Sequence, residues 1–387
     1  MDLRPRQPKR RKIIEDSSDE ESSIHIPNSE TDFSNLIEDI DIDDFSKSKI
    51  REMAKDYDNG EMDFSDRYKL KKYLNGITKI PFGKYCSKNI KKEDSFADKK
   101  IFLSSIRQNL DKYVYGHKQA KKTLIETIAK KINNPKGSGN IIALSGPPGV
   151  GKTSLIKNGL SKSYKTPFNF VSLGGSRHSS TLKGCDISFI GAGWGKIVDI
   201  LIKSQCIDPI IYFDELDKTS STDEGMDILS CLVHLTDPSQ NSHWEDNFFS
   251  GIAFDLSKAM IIFSLNDKSK IPDVLLDRLT IIEMGGYSED EKFKISKLYS
   301  IPRLLKDIGF RKNSIIISDD VIRDIVKNYC DQPGMRKTEQ CLKSILMRFN
   351  YLDMIELGDP CYDEFGPYKI DLPTSKIILE PIFKTKC

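Results

Sequence analysis

The side chains best suited to chemistry lie in a glycine-rich stretch that follows an apolar run and precedes a helix-like segment. The stretch is Gly146-Pro147-Pro148-Gly149-Val150-Gly151-Lys152-Thr153, with Ser154 next to it. Glycines allow the backbone to wrap around a phosphate chain, and amides at a helix start attract the anion. Lys152 would reach the β- and γ-phosphates, and the Thr153 hydroxyl would hold Mg²⁺. The stretch predicts a P-loop that binds ATP and Mg²⁺, with a chance glycine-rich turn as the alternative.

Two acids after a second apolar run are candidates for the metal ligand and the base. Asp214 and Glu215 directly follow Ile210–Phe213. Acids at the C-terminal end of a buried parallel strand lie where such sheets bind ligands. Asp214 would orient Mg²⁺ through its water shell, and Glu215 would polarise the attacking water. The pattern indicates a Walker B strand, and the alternative is an acidic turn after a strand.

Three further polar residues are candidates for the γ-phosphate end of the site. Asn266 ends the apolar run Met260–Leu265, where it could position the water. Arg278 follows a helical turn and precedes a strand, which suits an arginine finger that reaches a neighbour's nucleotide. Arg336 opens a helix and could sense the γ-phosphate. For both arginines, a solvated surface position is the alternative.

Strand-like and helical patterns alternate around these residues. The apolar runs are Ile141–Leu144, Phe168–Leu173, Ile210–Phe213, Met260–Leu265 and Ile281–Met284. This alternation predicts an α/β fold with a parallel sheet. Helices are predicted over Gln119–Ile132 before the sheet and over Glu289–Leu305 and Asp319–Met354 after it, which indicates a small α-helical lid.

We expect five regions in the 387 residues. They are a disordered tail at 1–45, a helical segment at 46–110, a nucleotide-binding domain at 111–287, a lid at 288–357 and a C-terminal tail at 358–387. Few apolar residues predict disorder in the first region. Six apolar residues that lie among acids near its end could instead form a docking motif that folds on a partner; they are Phe33, Leu36, Ile37, Ile40, Ile42 and Phe45.

Composition narrows the function classes. The net charge of +2 does not indicate a polyanion partner, and the eight cysteines contain no C-x-x-C pair, so neither a metal knuckle nor a redox pair is signalled. We expect reduced cysteines in an intracellular, cytoplasmic protein with no membrane segment. The basic cluster Lys9–Lys12 could be a nuclear-import signal or a nucleic-acid arm, and a solvated tail is the alternative.

Several short motifs occur in an order that is typical of one family. They are Tyr73-Leu74-Asn75-Gly76, Gly174-Gly175-Ser176-Arg177, Asp237-Pro238-Ser239-Gln240-Asn241, Leu275-Leu276-Asp277-Arg278 and Pro333-Gly334-Met335-Arg336. With these motifs the chain resembles the AAA+ ATPase module of the Lon proteases over roughly residues 50–350. The resemblance implies an AAA+ P-loop NTPase core and a ring, a hexamer, with ATP between subunits.

The same resemblance implies roles for individual residues. Tyr115 and Gly116 would lie near the adenine. Asn266 would be sensor 1, Arg278 the arginine finger and Arg336 sensor 2. Phe189 and Ile190 would form the pore loop that grips an unfolded substrate. From the residues alone, an aromatic–aliphatic pair flanked by glycines fits a buried turn nearly as well.

Departures from the family limit what the resemblance implies. The serine–lysine protease domain, with its P-K-D-G-P-S-A-G motif, has no match after Gly358, and Gly193-Trp194 replaces Met-Pro after the pore loop. We expect an ATP hydrolase that unfolds, threads or remodels proteins without its own peptidase activity. A nucleic-acid motor or loader and a nucleotide-dependent scaffold are the alternatives.

Overall fold

The computed structural model describes residues 33–59, 62–86, 90, 92–134, 141–175, 178–219, 223–310, 315–356, 368–371, 375 and 379. The basic cluster Lys9–Lys12, most of the predicted C-terminal tail and Arg177 lie outside the described residues. None of the helices in the described part of the chain is long and apolar enough to cross a membrane.

Five helices precede the sheet, and the first lies in a region predicted to be disordered. They are α1 (Phe33–Glu38), α2 (Asp44–Asn59), α3 (Phe64–Ile77), α4 (Phe96–Tyr113) and α5 (Lys118–Asn133). The prediction of disorder up to residue 45 is wrong from Phe33 onward, because Phe33, Ile37 and Ile40 are buried in the main hydrophobic core. Their spacing of three or four residues places them on one helical face. These residues fold on their own chain rather than only on a partner.

A five-stranded parallel sheet forms the centre of the chain. The strands of the central region are β1 (Ile141–Ser145), β2 (Phe168–Ser172), β3 (Ile210–Asp214), β4 (Trp244–Glu245), β5 (Ala253–Phe254), β6 (Met260–Leu265) and β7 (Leu279–Glu283). The order in the sheet is β2-β3-β6-β1-β7, and β4 and β5 form a separate antiparallel pair. The predicted parallel α/β sheet is confirmed, although its last strand begins at Leu279 rather than Ile281.

Hydrophobic cores cover both faces of the sheet. Successive residues of a strand point to opposite faces, so Ala143 and Phe213 join the core with α1 to α3, whereas Leu144 and Tyr212 join the core with α4 and α5. The helices between the strands are α6 (Lys152–Ser154), α7 (Ser161–Tyr164), α8 (Ser180–Lys183), α9 (Lys196–Ser204), α10 (Asp223–Thr236) and α11 (Asp273–Leu276). A π-helical stretch, Leu155–Leu160, joins α6 to α7. Burial on both faces fixes the strand ends that carry the candidate site.

The lid contains a short sheet as well as the predicted helices. Its elements are α12 (Glu289–Ile295), α13 (Ile301–Ile308), β8 (Ile315–Ile317), α14 (Asp319–Asp324), α15 (Arg336–Glu356) and β9 (Tyr368–Ile370). The lid is mainly helical, as predicted, and β9 adds a short parallel pairing with β8 that the sequence does not predict. Ile370 and Leu379 are buried in the lid core, so part of the C-terminal tail belongs to the lid.

Candidate nucleotide-binding site

The glycine-rich loop joins the end of β1 to the start of α6, and its geometry requires glycine. Gly146 has φ 155° and Gly149 has φ 80°. A Cβ atom at Gly146 would lie 2.1 Å from the carbonyl oxygen of Met284, and one at Gly149 would lie 2.9 Å from the backbone nitrogen of Arg336. Because side chains would collide with backbone at both positions, the loop is closely fitted between β7 and the lid.

Lys152 is buried at the first position of α6 and is held by several acceptors. Its Nζ donates to Asn266 Oδ1 at 2.8 Å, to the carbonyl oxygen of Leu265 at 3.2 Å and to that of Gly146. Burial lowers the pKa of Lys152, and the nearby carboxylates of Asp214 and Asp217 oppose that shift. The ammonium group is therefore fixed where the loop and the end of β6 meet.

The acidic pair lies at the C-terminal end of β3, beside the same loop. The hydroxyl of Ser264 donates to a carboxylate oxygen of Asp214. Glu215 has a left-handed backbone with φ 61°, and Lys218 donates a hydrogen bond to its carboxylate, which raises the pKa of Lys218. A Cβ atom at Gly174 would lie 2.3 Å from Glu215 Oε2. Because Gly174 has no side chain, the carboxylate of Glu215 has room beside it.

A buried carboxylate connects the two strand ends. Asp217 is 9% exposed, and its Oδ1 accepts a hydrogen bond from the backbone N–H of Asn266 at 3.1 Å. Asn266 in turn accepts from Lys152. Sequence reasoning missed Asp217 and Ser264, although both stand within three residues of predicted site residues. Their contacts run between β3 and β6, which no local pattern reveals.

These groups surround a cavity of about 660 Å³. Among the residues predicted from sequence, its lining contains Tyr115, Pro148, Gly149, Val150, Gly151, Lys152, Thr153, Ser154, Asp214, Glu215, Asn266 and Arg336. Gly146 and Pro147 lie next to it, because their carbonyl oxygens accept from Lys152 Nζ. Gly116 and Arg278 do not line it. The cavity thus gathers anion donors, a lysine and carboxylates, a donor set that fits a nucleotide with Mg²⁺.

The lid closes one side of this cavity through contacts with the glycine-rich loop. The backbone N–H of Met335 donates to the carbonyl oxygen of Gly149 at 2.9 Å, and the Tyr287 hydroxyl donates to that of Val150 at 2.8 Å. Burial raises the pKa of the Tyr287 hydroxyl. Sequence reasoning missed Tyr287, which directly precedes the lid, and the lid residues Arg303 and Lys343 of the lining. Arg303 lies in α13 and Lys343 in α15, and only the folded lid brings them together.

Comparisons with known proteins agree with this geometry. Residues 142–287 match the family described as "ATPase family associated with various cellular activities (AAA)". The chain is 35% identical to a Lon protease homolog of Acanthamoeba polyphaga mimivirus over 83% of this chain and 31% of that protein. It is 34% identical to a mitochondrial Lon protease homolog of Yarrowia lipolytica over 81% of this chain and 25% of that protein. The chain contains an AAA module of the Lon type.

The match covers only part of each relative. A third example, the Lon protease of Malacoplasma penetrans, is 35% identical over 64% of this chain and 31% of that protein. The chain therefore spans about a third or less of the length of these curated relatives. The AAA family implies nucleotide use, usually with Mg²⁺, and the cavity described above has the residues for both.

Arg278 of the AAA module does not line the cavity of its own chain. Its guanidinium contacts Asp237 Oδ2 at 2.6 Å, next to the end of α10. Hydrogen bonds from Ser239 and from Arg278 lower the pKa of Asp237 to about 2. The arginine is therefore held in a fixed position by an ionised carboxylate, outside the cavity that holds the other predicted catalytic residues.

The predicted pore loop of the AAA module has an exposed tip. Phe189 is 64% exposed and Ile190 is fully exposed, so the alternative in which Phe189 packs in a buried turn is wrong. The base of the loop is fixed, because the backbone N–H of Cys185 donates to the carbonyl oxygen of Gly193 at 3.0 Å. The backbone N–H of Gly195 donates to the buried carboxylate of Asp246 at 2.8 Å.

The helix α3 supports the same loop from the N-terminal segment. Trp194 stacks on Phe249 with ring centroids 6.0 Å apart. A Cβ atom at Gly76 would lie 2.8 Å from each of these rings. Lys72 donates to the carbonyl oxygen of Ala192. Gly193-Trp194, the departure from the Lon pattern, thus forms a contact between the loop and α3.

Proposed function

We propose that this chain is a Lon-type AAA ATPase that hydrolyses ATP to unfold, thread or remodel protein substrates. The proposal of ATP hydrolysis rests on one observation. A single cavity is lined by Lys152, Thr153, Asp214, Glu215 and Asn266. These are the group types that phosphoryl transfer to water requires, namely a phosphate lysine, ligands for Mg²⁺ and a carboxylate base.

Each residue then has a defined task. The amides of the glycine-rich loop and Lys152 would bind the phosphates. Thr153 and Asp214 would hold Mg²⁺, which would neutralise phosphate charge when bound. Glu215, which lines the cavity, accepts a proton from the attacking water once its carboxylate is released from Lys218. Asn266 orients the water, and Asp217 holds Asn266 through its backbone N–H.

We extend the proposal to a ring, a hexamer, in which Arg278 acts on the nucleotide of the neighbouring subunit. Arg278 is supported in this role by its position outside its own cavity, next to Asp237. Tyr115 contacts the base end of the nucleotide, and Arg336, which lines the cavity from the lid, senses the γ-phosphate.

The mechanical part of the proposal rests on the exposed tip formed by Phe189 and Ile190. An exposed aromatic side chain can hold any polypeptide through apolar contact, without a sequence requirement. The fixed loop base would transmit movement of the module to that contact. We expect no peptidase activity from these 387 residues.

Hydrolysis is tested with purified protein, Mg²⁺ and ATP. Lys152→Ala should abolish nucleotide binding, and Glu215→Gln should bind ATP but lose turnover by about 10²–10⁴-fold, the range for a general base. Lys157→Ala and Glu245→Gln change exposed residues outside the cavity and should hydrolyse at the wild-type rate. Wild-type turnover by Glu215→Gln would refute the base assignment. Strong, salt-dependent stimulation of turnover by DNA but not by unfolded protein would favour a nucleic-acid motor instead.

A further inference from the structure

Two thiols and a carboxylate meet at the end of β3 opposite to the nucleotide cavity. The sulfur atoms of Cys86 and Cys206 and a carboxylate oxygen of Asp208 all lie within 4.8 Å of one another. Asp208 precedes β3, whereas Asp214 ends it, so the length of the strand separates this cluster from the proposed Mg²⁺ ligands. Within the described ranges, it is the one group of three or more such side chains close enough to share an ion.

The backbone already holds the three side chains together. The N–H of Cys86 donates to Asp208 Oδ1 at 2.7 Å, and the N–H of Ile207 donates to the carbonyl oxygen of Lys84 at 2.9 Å. These two bonds join the segment after α3 to the turn between α9 and β3. Cys206 and Asp208 are buried, and Cys86 is partly exposed. The ligands are thus arranged in advance, with access from the side of Cys86.

We propose that Cys86, Cys206 and Asp208 bind one Zn²⁺ ion, with a water molecule as the fourth ligand. Cysteine sulfur and carboxylate oxygen are ordinary zinc ligands at about 2.3 Å and about 2.0–2.2 Å, which in a tetrahedron places neighbouring ligand atoms roughly 3.3–3.8 Å apart. The observed spacing needs only small side-chain movements to reach this range. A site with two thiolates also favours Zn²⁺ over Mg²⁺, because Mg²⁺ prefers oxygen ligands.

The proton and charge balance of this site is simple. Binding converts two thiols into thiolates and releases two protons to solvent, with no change of oxidation state. The ion and its three anionic ligands then carry one net negative charge. Lys131 and Lys258 lie close enough to Asp208 for their charges to interact with it, and they would compensate that charge.

A disulfide between the two cysteines is the competing chemistry. The need for Asp208 distinguishes a zinc site from a disulfide. The Cys86 thiol donates to the carbonyl oxygen of Ser204 at 3.7 Å. A disulfide has no use for the carboxylate, whereas a zinc site loses one of its three protein ligands without it.

The experiment uses the full chain, reduced, freed of metal by a chelator and kept in excess Mg²⁺. Titration with Zn²⁺, followed by native mass spectrometry, should give one tightly bound ion per chain, and Co²⁺ should give the absorption of tetrahedral thiolate coordination. Cys86→Ser, Cys206→Ser and Asp208→Asn should each weaken Zn²⁺ binding at least tenfold. Cys185→Ser, which changes an exposed cysteine, is the matched control and should bind as the wild type does.

A second readout does not depend on variants that must fold. In the wild type, Zn²⁺ should slow alkylation of Cys86 at least tenfold while Cys185 reacts at an unchanged rate. The proposal is overturned if no stoichiometric Zn²⁺ binds, if Asp208→Asn binds it as tightly as the wild type, or if Cys86 is not protected. A Cys86–Cys206 disulfide that forms on mild oxidation at the same rate with saturating Zn²⁺ as without it would also overturn the proposal.

Discussion

The nucleotide cavity and the loop that carries Phe189 are organised in opposite ways. In the cavity, the functional side chains are themselves held: Lys152 has several acceptors, and Asn266 is bonded through its backbone to Asp217. In the loop, the base is held and the tip is not, since Gly195 is bonded to Asp246 while Ile190 has no cover. Chemistry needs atoms in fixed positions, whereas a grip on varied polypeptides needs a firm support and an exposed apolar end.

Replacing Arg278 should have the largest effect of the variants that test this comparison. Arg278 does not line the nucleotide cavity of its own chain, so we expect it to complete the cavity of a neighbour. Arg278→Ala should lower turnover by about 10³–10⁵-fold, the range for an arginine finger. Mixing it with Lys152→Ala, which is also inactive, should restore some turnover, since mixed rings contain an intact glycine-rich loop facing an intact arginine.

The control for this mixture is Arg348→Ala, which changes an exposed lid arginine and should stay active alone. If subunits demonstrably exchange and the mixture remains inactive, Arg278 does not act across subunits. The cavity would then have to be complete within a single chain.

Asp246 tests whether the base of the loop is as firmly built as the cavity. Burial raises the pKa of its carboxyl group to about 7, from an ordinary value of 3.8. A raised pKa favours the protonated form, so this stability contribution is full below about pH 4 and is lost as the pH rises to about 7. The upper limit of this loss is about 4 kcal/mol.

The measurement is urea unfolding of the wild type and of Asp246→Asn between pH 4 and pH 8. The asparagine keeps an oxygen that accepts from Gly195 but has no proton to lose. The free energy of unfolding of the wild type should therefore fall relative to the variant between pH 4 and pH 7. If the free energies of unfolding of the wild type and the variant change in parallel with pH, burial does not destabilise the ionised carboxylate of Asp246.

Gly76 sharpens the comparison by changing the support of the loop and leaving the cavity intact. The added methyl group of Gly76→Ala would press on the rings of Trp194 and Phe249, which typically costs about 1–3 kcal/mol of stability. Substrate unfolding should fall more than ATP turnover does. Gly285→Ala adds a methyl group with no neighbouring atom within 4 Å and should leave both unchanged; equal loss of both activities in Gly76→Ala would count against a specific support.

The sequence predicts the strands of the sheet and the polar residues at their C-terminal ends, because each is visible in a short stretch of consecutive residues. A buried strand reads as a continuous apolar run, and polar residues follow it directly, as at Asp214 and Asn266. The contacts that hold these residues, such as Ser264 with Asp214, join different strands and leave no local pattern.

The failures of sequence reasoning have the same cause. Phe33 and Ile37 lie in an acidic stretch that reads as disordered, but α2 packs on them, and the rings of Phe33 and Tyr57 are 5.6 Å apart. Likewise β8 gains its strand character from β9, which is far away in the chain. The role of Trp194 becomes visible only when Gly76 is next to it.

The most direct test of the central claim is ATP-driven unfolding of a tagged fluorescent protein by the wild type and by Phe189→Ala. Because Phe189 is exposed, the variant should keep its melting temperature and basal ATP turnover. A phenylalanine buried in a core would instead lose about 3–5 kcal/mol of the free energy of unfolding on replacement by alanine. Phe96→Ala, which removes another exposed aromatic side chain, is the control. The account predicts that the wild type and the control unfold the substrate and that Phe189→Ala hydrolyses ATP without unfolding it; equal unfolding by all three, or none by the wild type despite hydrolysis, would contradict it.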